Sequence, residues 1–175
     1  ARAGAPRAGP PRGAAAAGGS EAPAANESQP AAEGRPRFFA LVANAKFLLY
    51  DEEHFAEQLR ERRRHLREQG APQDFWVLPQ PAFLQGRAEE RMVGQPAAAV
   101  VTTDELWCTF MKLRLDRVLM LDLGEVPREE ALRSLGDVGE FPPPEKWTAP
   151  YSQYEQGWWR VFVPEEASDV VKAQA

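Results

Sequence analysis

Few residues in this sequence are of types that do chemistry. The 175 residues include 2 His and 1 Cys. His54 and His65 fall on one predicted helix and share a face, but stand ~16 Å apart at 1.5 Å per residue, too far to hold one ion together. Asp51-x-x-His54 has the carboxylate-x-x-His spacing of di-iron bundles, which draw their ligands from four helices. One such pair is not a site, and no metal is expected. The lone Cys108 excludes an intrachain disulfide and any Cys cluster. It falls within an apolar helix face, where a buried, inert thiol is the expectation. There is no Gly-x-Ser-x-Gly elbow, no P-loop and no dinucleotide glycine pattern; Gly136-x-x-Gly139 is too short to count. Glu52, Glu53, Glu89 and Glu90 sit among surface charges with nothing to raise a pKa. The reading is a protein with no catalytic residues and no cofactor.

The remaining chemistry is recognition. Arg60-Glu61-Arg62-Arg63-Arg64-His65-Leu66-Arg67 could grip phosphates. Glu57, Glu61 and Glu68 interleave it at i,i+3 and i,i+4, so a solvated, internally paired helix face is expected instead. The formal net charge of -5 also argues against nucleic acid as a partner. Arg114 is different. At about 100° per residue, the second long helix gathers Trp107, Phe110, Met111, Leu113, Leu115 and Val118 on one broad arc, with Arg114 near its middle and Lys112 and Asp116 opposite. An arginine there must form an internal salt bridge, snorkel to water, or anchor a protein interface. Asp74-Phe75, an acid beside a large aromatic at a strand start, reads on its own as ordinary packing with a turn acid.

These side chains need elements to hold them. The apolar run Phe38 to Ala43 reads as a buried strand. A helix follows, with Asp51 as cap, Glu52 and Glu53 in its first turn, the stripe Phe55, Leu59 and Leu66, and Gly70 as its stop. Asp74 to Leu78 reads as a second strand, 82–95 as a loop with one helical turn, and Ala97 to Val101 as a strand buried on both faces. Thr102 to Glu105 is a capping box with Thr102 as N-cap, opening a helix to about Arg117. Val118 to Leu123 is a fourth strand, closed by Gly124. The order predicts an α+β fold: a four-stranded antiparallel sheet with two helices on one face, the split βαβ or ferredoxin-like arrangement. Beyond it lie a short helix from Arg128 to Leu135 and the Pro142-Pro143-Pro144 stop. Seven aromatics then fall between Phe141 and Phe162, where Trp158 to Val163 is a candidate edge strand.

Composition divides the chain. Residues 1–36 hold 13 Ala, 6 Gly and 6 Pro, and all 17 aromatics lie beyond them. A segment without large apolar side chains cannot offset the entropy of ordering its backbone. Residues 1–36 are expected to be a disordered leader, either the remnant of an organelle transit sequence or a low-complexity linker. Residues 37–124 are the core domain and 125–175 an aromatic-rich C-terminal extension. No apolar run approaches the ~18 residues a membrane-spanning helix requires.

One ordered set of segments resembles a known family: Phe38-Phe39-Ala40-Leu41-Val42-Ala43, Lys46-Phe47-Leu48-Leu49, Asp74-Phe75-Trp76, Gln80-Pro81-Ala82-Phe83-Leu84, Gln95-Pro96-Ala97-Ala98-Ala99 and Leu113-Arg114-Leu115. It is the low-chlorophyll-accumulation A family, known also as a hypothetical chloroplast reading frame product. Pro144-Glu145-Lys146-Trp147 to Trp158-Trp159 looks like the extension of green-lineage members. The leader and Leu119-Met120-Leu121-Asp122 depart from the pattern. The resemblance implies a non-catalytic auxiliary factor that binds and stabilises the di-iron subunit of the aerobic magnesium-protoporphyrin IX monomethyl ester cyclase, in chlorophyll biosynthesis. Its place would be the chloroplast, in the stroma or peripheral to the thylakoid or envelope membrane through its partner, and other enzymes of the same biosynthesis are further candidate partners. The family's partner-binding patch falls here on Asp74, Phe75 and Arg114. The alternative is a tetrapyrrole-binding carrier that stacks the pigment on Trp158, Trp159 and Tyr154; an RNA-binding domain on the same fold is disfavoured by charge.

Overall fold

The computed structural model describes residues 34–143, 145–150 and 152–173. The expected leader thus lies almost wholly outside the described residues. The central strand β1 (Arg37–Asn44) is the apolar run expected from sequence. Alternate side chains point to opposite faces of a strand, and β1 is buried on both. Phe39, Leu41 and Ala43 enter one apolar cluster, while Phe38, Ala40 and Val42 enter another.

A wide turn over Phe47–Asp51 buries Leu48, Leu49 and Tyr50 before the first helix begins. Asn44 starts it, its side-chain oxygen accepting from the Lys46 amide at 3.1 Å. This turn moves the helix start. Helix α1 (Phe55–Glu68) has His54, not Asp51, at its N-cap, and Asp51 instead pairs with Lys46 at 3.2 Å. Its C-terminus is as expected: Gly70 at φ 65° lets its own amide reach the Arg67 carbonyl and the Ala71 amide reach that of Leu66. Those two bonds satisfy carbonyls the helix end leaves bare.

Strand β2 (Phe75–Pro79) follows, then a tight turn at Ala82–Leu84 and helix α2 (Ala88–Val93), more helix than the single turn expected for 82–95. Strand β3 (Ala97–Thr102) is buried throughout. Helix α3 (Glu105–Arg114) stops three residues short of the expected end, and strand β4 (Leu119–Glu125) completes the sheet. The strand order is β2-β3-β1-β4 with every neighbouring pair antiparallel. Each β-α-β unit is therefore split by one strand.

Both long helices lie on one face of the sheet. Phe55, Leu59 and Leu66 of α1 and Trp107, Cys108 and Met111 of α3 share a cluster with Phe39, Leu41, Phe75, Val77 and Val100. The opposite face is not bare. Helix α4 (Arg128–Ala131), which ends well before the expected Leu135, and helix α5 (Glu165–Ala173) supply Ala131, Ala167 and Val171 against Phe38, Ala40, Ala99 and Val101. Between them, Trp158–Phe162 winds as a short 3-10 turn rather than the candidate edge strand, and it buries Trp159 and Phe162 in the first cluster.

Candidate protein-binding face

The N-terminus of α3 is where the side chains singled out from sequence are first fixed. Its cap is Asp104, whose carboxylate accepts from the Trp107 amide at 2.9 Å. Thr102, the expected cap, is used otherwise: its hydroxyl donates to the Asp74 carbonyl at 2.8 Å and accepts from the Asp104 amide at 3.0 Å. The Thr103 amide also donates to the Asp74 carbonyl. The start of β2 and the start of α3 are thereby tied together.

Arg62 joins them to α1. Its guanidinium donates to the Asp74 carboxylate, at 3.3 Å through Nε, and to Asp104 at 2.7 Å. It also lies over the Trp107 ring, 5.0 Å from the centroid. Burial pulls the Arg62 pKa down, but the hydrogen bonds and charges of Asp74 and Asp104 outweigh it and leave the group above its ordinary value. Burial likewise acts to raise Asp104, while the Trp107 amide and Arg62 bring it below its ordinary value. Two carboxylates share one guanidinium, so this end of α3 carries a net negative charge.

The rest of the face is apolar and exposed. The single broad arc expected for this helix is divided in two. Trp107, Cys108 and Met111 face the sheet, and Leu115 and Val118 are buried beyond the helix end. Leu106, Phe110 and Leu113 point away, at 81%, 45% and 83% exposed. A helix lying flat on a sheet buries one stripe, and the C-terminal segment covers the opposite face of the sheet and the side of α1 instead. Arg62, Asp104, Leu106, Trp107, Phe110 and Leu113 line a shallow groove of about 450 Å³. Arg114 stands at its far end, exposed, with its guanidinium 5.7 Å from the Phe110 centroid. Among the described residues it makes no ion pair, so the internal salt bridge weighed from sequence is absent.

Asp74 and Arg114 thus lie towards opposite ends of one face, and Asp74 is held by Arg62. Phe75 is fully buried, packed against Trp107 at 5.2 Å and Phe162 at 5.5 Å between centroids. Any part it has in recognition passes through the Trp107 ring it supports. Sequence reasoning left Arg62 on a solvated face, set Leu113 on a single apolar arc and gave Leu106 no role. A signal for Arg62 existed: it falls between Leu59 and Leu66 in the apolar register of α1, not on the wet side.

Arg64 forms the expected surface pairs with Glu61 and Glu68, but Arg60 and Arg63 are not simply solvated. Arg60 lies over Tyr154 at 4.7 Å and Arg63 over Phe162 at 4.6 Å. The rings considered for pigment stacking are occupied by such packing. Trp159 is 1% exposed, Trp158 donates to the Leu49 carbonyl at 2.7 Å, and the Tyr154 hydroxyl donates to Glu57. Cys108 is buried, and burial pushes its pKa up to about 12. Both histidines are exposed. Among the described residues no group of three or more His, Cys, Asp or Glu could hold a metal ion, and no helix is long and apolar enough to cross a membrane.

Residues 36–124 match the family model described as Ycf54 protein. The chain is 47% identical over 129 residues to the chloroplastic protein YCF54 of Arabidopsis thaliana, covering 73% of this chain and 61% of that one. It is 39% identical over 90 residues to the Ycf54-like protein of Synechocystis sp., covering 47% and 63%. It therefore spans about three-fifths of the length of these relatives. The solved structure of Synechocystis Ycf54 superposes with a TM-score of 0.52 at 30% identity, over 58% of this chain and 98% of that one.

Proposed function

This chain belongs to the Ycf54 family, and from that membership and the exposed face of α3 we propose that it is an auxiliary protein-binding factor of chlorophyll biosynthesis. In this reading it binds and stabilises the di-iron subunit of the aerobic magnesium-protoporphyrin IX monomethyl ester cyclase and performs no catalysis itself. It acts in the chloroplast, the compartment in the name of its Arabidopsis relative, and reaches the membrane surface through its partner. The observation that carries the reading is the groove along α3, in which Leu106, Phe110 and Leu113 stand exposed between the Arg62–Asp74–Asp104 cluster and Arg114. An apolar centre flanked by arginines with an aromatic beside them has the composition of an interface hot spot. The pigment-carrier reading is less favoured: Trp158 and Tyr154 line a cleft of about 500 Å³ with Arg60 and Arg63, but both rings are bonded within the chain and Trp159 is buried.

Arg114→Ala tests this. An exposed arginine without an ion pair contributes little to folding, so the variant should melt with the wild type. Capture of the cyclase subunit should weaken by about 2 kcal/mol, or ~30-fold. Undiminished capture by Arg114→Ala and by Leu113→Asp, in variants that still fold, would refute the assignment of this face.

A further inference from the structure

We propose that the exposed face of α3 also binds a second copy of this chain, as an antiparallel pair of α3 helices about a two-fold axis. The apolar stripe is self-complementary. Leu106, Phe110 and Leu113 recur at intervals of four and three, the narrow seam that packs against another helix. An axis passing between Thr109 and Phe110 sets Leu106 of one copy against Leu113 of the other, and Leu113 against Leu106. The two Phe110 rings meet beside the axis.

The charges follow the same symmetry. At about 100° per residue, Arg114 lies on the same flank of α3 as Trp107, and Arg62 sits over the Trp107 ring. In an antiparallel two-fold pair like flanks meet, so each Arg114 arrives at the other copy's N-terminal end of α3. That end carries two carboxylates, Asp74 and Asp104, on the single guanidinium of Arg62. Arg114, exposed and without an ion pair among the described residues, supplies the missing positive charge twice over, once in each direction. Such an interface is isologous and closes on itself.

One helix face falls short of the ~800 Å² per partner that a stable interface buries. The pair is therefore weak and exchangeable, and its formation covers the groove that any other protein would need. None of this depends on the identity of that other protein.

Sedimentation of the full chain over rising concentration tests self-association, and cysteine pairs test its geometry. We expect dimer to appear on the order of 100 μM, and Arg114→Glu to weaken it ~10-fold or more. Under mild oxidation Phe110→Cys should link to its own copy. Leu106→Cys should link to Leu113→Cys, and neither of those two to itself, because a disulfide needs Cα atoms within about 7 Å. Buried Cys108 does not compete. A chain that stays monomeric on the order of 1 mM, or Leu106→Cys linking to itself as readily as to Leu113→Cys, would overturn the proposal.

Discussion

Arg62 shows how much one side chain can organise. It sits in the apolar register of α1, is only 15% exposed at its side chain, and meets Asp74, Asp104 and the Trp107 ring at once. Removing it would leave two half-buried carboxylates without their counter-charge and withdraw the guanidinium that lies over Trp107. Arg62→Ala should therefore lose about 2–3 kcal/mol in a denaturant melt, where Arg114→Ala loses almost nothing. The pH dependence has a definite sign. The Asp104 pKa is lowered by folding, so its contribution to stability is complete above the ordinary value of 3.8 and fades as pH falls through the lower folded value. Stability should be flat across neutral and mildly acid pH and drop below about pH 4. Asp104→Asn keeps a good helix cap but not the charge, and should show a shallower acid drop; an unchanged profile would place the acid sensitivity elsewhere, with Asp122 beside Arg37 the next candidate.

At the scale of elements, the C-terminal turn explains its own conformation. Trp158, Trp159 and Phe162 all pack on the first cluster. A strand would send Trp159 and Phe162, three apart, to opposite faces, whereas a 3-10 turn at three residues per turn sets them on one side, with Trp158 at its flank. Gly157, at φ 79°, starts that turn. Trp159→Ala should cost about 3–5 kcal/mol, the range for a buried large aromatic. Amides of Trp158–Phe162 should exchange slowly in the wild type and rapidly in the variant. Exchange in the wild type as fast as that of an open loop would show that the turn does not pack in solution. The aromatic composition of this segment was enough to expect order; the type of order depended on where its contacts lay.

For the whole molecule, the notable feature is a sheet covered on both sides by a chain of modest length. The second cover sets Ala131, Leu132, Ala167 and Val171, with Leu84, over Ala40, Ala97 and Ala99. Arg128, which pairs with Glu166 and lies over Trp76, pins α5 to α4 and β2. A chain ending at Pro164 should lose the α5 part of this cover and open Phe38 and Trp76 to water. It should bind an apolar dye and melt below the full chain. Equal melting temperatures with no dye binding would show that α5 contributes little. Among the described residues, α3 keeps three large apolar side chains exposed, Leu106, Phe110 and Leu113.

Local signals in the sequence determined the order of strands and helices along the chain and the Schellman stop at Gly70. Each depends on a residue's own conformation or on its neighbours within a turn or two, so each is written in the sequence. Only the tertiary structure decided that Phe75 lies inside while Leu106 and Leu113 lie outside. It also decided that Arg62 is held while Arg114 is not, and that Thr102 gives up the cap to Asp104. Burial and pairing belong to whatever lies across the gap. For α3 that is the sheet on one side and open water on the other, a difference that helical periodicity cannot express.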